Sequence, residues 1–125
     1  MVEAYSLNID VADDTAIPFN STTIQKGCTV THPSPDTFNL NKCGVYMVSA
    51  DTSSEAETTI QLYKNGVAQP QAQSTGGSHQ SFSTLVQVRD NNSCCPCTSP
   101  TVIQVLNTGA AATFTTANIT ITKVI

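Results

Sequence analysis

FNLNKCGVYMVSA, residues Phe38–Ala50, is the stretch on which the arrangement of the rest of the chain turns. Val45, Tyr46, Met47 and Val48 are strand-favouring or apolar in unbroken succession, and Gly44 before them permits a bend or bulge where the chain enters a sheet. A run with so little alternation reads as the central strand of an antiparallel sandwich covered on both faces. One cover is the opposite sheet; in a small domain the other is another subunit.

Working outward toward the C-terminus, Asp51–Glu57 is a polar connection and Thr58–Lys64 a strand, with Ile60 and Leu62 on one face and Gln61 and Tyr63 on the other. Asn65-Gly66 is a tight-turn pair, because both positions tolerate positive φ. The returning segment Val67–Gln73 contains Pro70, which confines it to an edge. After the Gly-rich loop Ser74–Ser78, the residues Phe82, Thr84, Val86 and Val88 alternate with their neighbours as in a half-buried strand. Cys94–Pro100 reads as a compact loop and Thr101–Leu106 as a strand. Asn107-Thr108-Gly109 then turns the chain into a last strand, Thr113–Ile125, whose Ile119, Ile121 and Ile125 share a face.

Toward the N-terminus, Pro33 and Pro35 mark a loop, and Thr22–Thr31 is expected as a hairpin arm bent at Lys26-Gly27-Cys28. Ala16–Phe19 enters the domain along an edge. Residues 1–15 read as a separate N-terminal arm or edge strand, with an alternating patch at Tyr5, Leu7 and Ile9, and residues 16–125 as the domain proper. The expectation is an all-β antiparallel sandwich of about eight to ten short strands separated by turn residues, without a helical segment.

Phe38, Gly44 and Tyr46 in their spacing, followed by the strand and turn Ile60–Gly66, resemble the jelly-roll domain of the complement globular-head and tumour-necrosis-factor superfamily. More narrowly the chain is similar to the bacterial and phage branch, which includes the C-terminal domain of spore-surface collagen-like glycoproteins. The likeness spans about Ala16 to Ile125, although the chain carries no collagen-like Gly-x-y tract. It implies a jelly roll that assembles as a homotrimer. Tyr46, Tyr63, Phe82 and Phe114 are then the core or interface aromatics.

Composition narrows the function. Only 11% of the 125 residues are charged, the net charge is −4, and Lys and Arg together number five, so no basic stripe is available for nucleic acid or an anionic membrane. Residues 1–14 have neither the basic nor the apolar region of a secretory signal, and no apolar run approaches the roughly 18 residues of a spanning helix. Synthesis in a bacterial cytoplasm, without a signal peptide, is therefore expected, with display on a particle.

The densest chemistry is Cys94-Cys95-Pro96-Cys97, together with Cys28 and Cys43. Disulfides or a thiol cluster are the first reading. Zinc held by Cys43, Cys94, Cys95 and Cys97 is a second, disfavoured because adjacent cysteines rarely chelate one ion. Strand order places Cys43 near the 94–97 loop, with Cys28 on a nearby arm. His32 and His79 read as exposed loop histidines, Gly76-Gly77-Ser78 as a turn, and Asp13-Asp14, Glu55 and Glu57 as surface charge without the oxygen clustering of a calcium loop. Asn20, Asn91 and Asn118 head glycosylation sequons of little weight without a signal peptide. No catalytic residues and no cofactor are expected.

The function expected is a non-enzymatic, trimeric surface-display module. Its setting is a phage virion, as decoration or fibre head, where it contacts capsid, fibre or other particle protein and binds a host glycan or surface protein. A spore-surface structural protein is the alternative, and a small metal-dependent enzyme a remote one. Polar loops at Asp51–Glu57, Ser74–Ser78 and Asn107–Ala111 are the expected contact elements.

Overall fold

The computed structural model describes residues 1–74, 77–88 and 100–125. It contains strands β1 Val2–Val11, β2 Thr15–Ala16, β3 Ser21–Gln25, β4 Val30–Ser34, β5 Thr37–Leu40, β6 Gly44–Ser54, β7 Ile60–Lys64, β8 Val67–Ser74, β9 His79–Val88, β10 Thr101–Asn107 and β11 Ala112–Lys123. One sheet runs β3-β1-β11-β6-β9; the other runs β4-β5-β10-β7-β8, with β2 added on β10. All strand pairs are antiparallel, so the architecture is an all-β jelly-roll-like sandwich of two sheets.

The core follows the period of two. Val2, Ala4, Tyr46, Val48, Ala50, Phe82, Val86, Ala117, Ile119 and Ile121 face inward from the five-stranded sheet, against Val30, Phe38, Leu40, Ile60, Leu62, Ile103 and Val105 of the other. Ile17 and Phe19 plug the side where the chain crosses between layers. The Ser6 hydroxyl pins that crossing by donating to the Pro18 carbonyl and accepting from the Asn20 N–H, each at 2.7 Å.

The stretch Phe38–Ala50 is two strands and not one. Phe38 and Leu40 end β5 in one sheet; after Asn41-Lys42-Cys43 the chain starts β6 in the other. Gly44 makes the switch at φ 146°, and a Cβ there would lie 2.4 Å from the Ile125 carbonyl oxygen. Two residues on, Tyr46 is fully buried and its hydroxyl donates back to the Lys42 carbonyl at 2.5 Å, which closes the corner. β6 also continues through Asp51–Ser54, expected as loop, and alternates in burial, with Met47 and Asp51 exposed on its outward side.

Four further expectations change. β1 is an interior strand between β3 and β11 rather than an arm or edge, and it buries Val2, Ala4 and Ser6 while Leu7 is 58% exposed. Asn8, at φ 52°, interrupts the alternation and shifts the inward set to Val11. The arm Thr22–Thr31 is not a hairpin: β3 pairs with β1 and β4 with β5, one in each layer. Ile125 is 78% exposed, because β11 ends at Lys123 before it can share the face of Ile119 and Ile121. Asn65-Gly66 turns as expected with φ 51° and 79°, and β8 lies at an edge.

Candidate functional site

Register places the outward residues of the five-stranded sheet in rows. Thr122, Met47 and Leu85 form one; Glu3, Thr120, Ser49 and Ser83 a second; Tyr5, Asn118, Asp51 and Ser81 a third. The face is mostly small hydroxyl and amide side chains, short enough for another surface to approach closely. Met47 and Leu85 stand directly opposite one another and are 41% and 56% exposed, with Val45 beside them. A cross-strand apolar pair this open is the kind of surface that association buries.

Further along the same face lies a polar trio. His79 Nε2 is 3.2 Å from Asp51 Oδ1, and His79 Nδ1 is 3.0 Å from Ser53 Oγ. With its proton on Nε2, the imidazole donates to the carboxylate and accepts from the serine hydroxyl, so one neutral tautomer satisfies both contacts. The residue types are those of a nucleophile, base and acid. The setting is not: His79 and Asp51 are 65% and 58% exposed on an open strand face, where water solvates the imidazole and the carboxylate. The trio is a surface hydrogen-bond ladder between β6 and β9, formed because Ser53 pairs with His79. Sequence reading missed it because Ser53 and His79 are 26 residues apart and meet only through that register.

His32 is also not a loop residue. It lies half-buried in β4, stacks on Phe38 at 4.1 Å between centroids, and places Nδ1 3.1 Å from Thr22 Oγ1 and Nε2 3.0 Å from the Pro35 carbonyl. It therefore ties β3 to β4, the two outermost strands of opposite layers.

Of the aromatics, Tyr46, Phe82 and Phe114 are buried within one chain, whereas Tyr63 is half-exposed on the outer side of β7. Cys28 is exposed and Cys43 buried. Asn41 joins their segments, donating from Nδ2 to the Cys28 carbonyl at 2.9 Å. Cys94, Cys95, Cys97, Gly76 and the sequon asparagine Asn91 lie outside the described residues. Val88 pairs with Gly44 and Thr101 with Leu40, so the described ends on either side of residues 89–99 both border the Asn41–Cys43 connection. Among the described residues no group of three or more His, Cys, Asp or Glu side chains is placed to hold a metal ion.

The expected contact loops differ in character. Asn107 is fully buried: its Oδ1 accepts from Thr58 Oγ1 at 2.5 Å and from the Gly109 N–H at 3.3 Å, and its Nδ2 donates to the carbonyls of Ala110 and Val11. Gly109 is pressed against Thr58, with a Cβ position 2.5 Å from Thr58 Oγ1. That turn is a packed fastening and does not present Asn107 to solvent. Residues 77 and 78 likewise give their carbonyls to Thr58 and Ser54 N–H groups.

Charge is sorted by end. Lys26, Lys42, Lys64, Lys123 and the amino terminus gather where β3, β7 and β11 finish and β6 begins. Asp10, Asp13, Asp14, Asp36, Glu55 and Glu57 gather at the other end, around the β1–β2, β4–β5 and β6–β7 connections. The sandwich is thus polarised along its strands.

Eleven strands in this order, with a Gly-x-Tyr corner between layers, can be set against solved structures. The globular domain of zebrafish complement 1qA protein superposes with a TM-score of 0.73 over 99% of this chain and 96% of that one, at 10% identity. The fold is that of the complement and tumour-necrosis-factor-like jelly rolls. Within it, the vertex protein P5 of PRD1 gives a TM-score of 0.69 at 14% identity, covering 99% of this chain and 96% of its own. Rabbit GITRL gives 0.64 at 14% identity, covering 100% and 95%. No family model and no curated protein matches the sequence. At these identities the likeness to these jelly rolls concerns fold alone.

Proposed function

We propose that this domain is a non-enzymatic display module that assembles as a homotrimer through the outer face of the five-stranded sheet and is carried on the surface of a phage virion. The observation that carries the reading is that face: small uncharged side chains around the exposed Met47–Leu85 pair, with Glu3 and Asp51 the carboxylates among the rows. Close approach there costs little desolvation of charge and buries apolar surface. The PRD1 vertex protein P5 shares this fold, and its place at a vertex is the motive for the virion setting proposed here.

The test compares particles with and without the protein. Loss of host attachment supports recognition, and loss of integrity on heating or in low salt supports decoration. A particle unchanged in both assays, or one from which the protein is absent, contradicts the virion reading.

A further inference from the structure

At the seam between the layers, beside the edge strands β8 and β9, lies a groove of about 320 Å³. Its polar lining is dominated by amides, Asn65, Gln69, Gln71 and Gln87, with the Lys64 ammonium at one end and Leu85 on the wall. We propose that this groove is a saccharide site, taking one or two hexopyranose rings. The proposal rests on the surface-display reading above and adds to it a ligand class and a place.

Each amide offers donors and an acceptor in one plane, which matches sugar hydroxyls that donate and accept at adjacent carbons. Among the described residues that line the groove there is no carboxylate. The volume suits a small ligand at the lower end of the usual range, roughly 300 Å³.

The frame is fixed before any ligand arrives. Asn65 is locked on β10: its N–H donates to the Val102 carbonyl and its Oδ1 accepts from the Val102 N–H, both at 2.8 Å. Its Nδ2 group then faces away from those bonds. Lys64 Nζ donates to the Gln87 carbonyl at 2.7 Å, which bridges the two walls and leaves its remaining protons for a hydroxyl or a sugar carboxylate. Gln69 Nε2 donates to the Val67 carbonyl at 3.0 Å, so its Oε1 is the acceptor on offer. Gln71 is exposed on the same wall. Positions on strands hold their geometry better than positions on loops.

The experiment is a titration of the isotope-labelled protein, followed by amide chemical shifts, with methyl glucoside, methyl galactoside, N-acetylglucosamine and N-acetylneuraminic acid in turn. Saturable shifts confined to residues 64–71 and 85–87 are expected for at least one sugar. The double variant Gln69→Ala/Gln71→Ala, whose side chains project from an edge strand, is expected to keep its fold and mass while losing about tenfold in affinity. No saturable shifts with any of the four sugars, shifts mapping elsewhere, or a folded double variant that binds as before would overturn the proposal. Light scattering on the same sample separates this outcome from the assembly reading: an intact trimer that ignores sugars sinks the site alone.

Discussion

Gly44 sits at φ 146°, where side-chain-bearing residues are strained, and a Cβ there would also lie 2.6 Å from Lys123 Cε. Gly44→Ala is therefore expected to lower stability by about 2 kcal/mol, read as a shift of the urea midpoint. Asn107 makes a second residue-scale claim. Its amide serves Thr58, Gly109, Ala110 and Val11 in a fully buried site, so Asn107→Ala orphans several polar groups at once and should cost about 3 kcal/mol. If Asn107→Ala melts like the parent, the amide is not the fastening described here. From the Gly-x-Tyr spacing Tyr46 was expected as a core or interface aromatic without a choice between the two; it is buried, and its hydroxyl bond to the Lys42 carbonyl gives that spacing a physical reason. Asn107 was not legible as core, because an Asn beside Thr and Gly reads as a solvent-facing turn until its neighbours in space are known.

Elements that carry their own signal were readable. The β7–β8 hairpin has Asn65-Gly66, β8 has Pro70, and β9 alternates cleanly through Phe82, Val86 and Val88. Where two elements adjoin without a turn motif, the period of two fails. Phe38–Ala50 contains β5 and β6 in different layers, and the polar residues Asp51-Thr52-Ser53-Ser54 hid the extension of β6 to Ser54. In β1 the positive φ of Asn8 reverses which face is inward, so Leu7 points outward while Ile9 packs on the core, and Val2 and Ala4 did not stand out. Two predictions belong at this scale. His32→Ala removes the tie between β3 and β4 and should cost about 1 kcal/mol, with faster amide exchange concentrated in those two strands; uniform exchange changes would refute a local tie. The cysteine reading places Cys43 next to the described ends of residues 89–99. Intact mass after alkylation without reduction should count fewer than the five cysteines of the sequence, or reveal bound metal, and five labelled thiols with no metal would end both versions.

For the whole molecule, the sandwich sorts its charge. Every lysine stands at one end and six carboxylates at the other, and the outer face of the five-stranded sheet between them carries Glu3 and Asp51 in its rows. Composition gave only the sum, a net charge of −4; the sorting emerges from which connections fall at which end. The site region was legible to a lesser degree: Met47 stood in an unbroken apolar run without an assigned face, and Leu85 opposite it and the Asp51–His79–Ser53 ladder required the register of β9 against β6. The central claim is that subunits meet on this face. Light scattering of the purified protein at micromolar concentration, beside the double variant Met47→Glu/Leu85→Glu, tests it most directly. A parent mass three times the 13.2 kDa of one chain and a folded variant at the mass of a single chain are predicted; a monomeric parent, or a variant that remains trimeric, would contradict it.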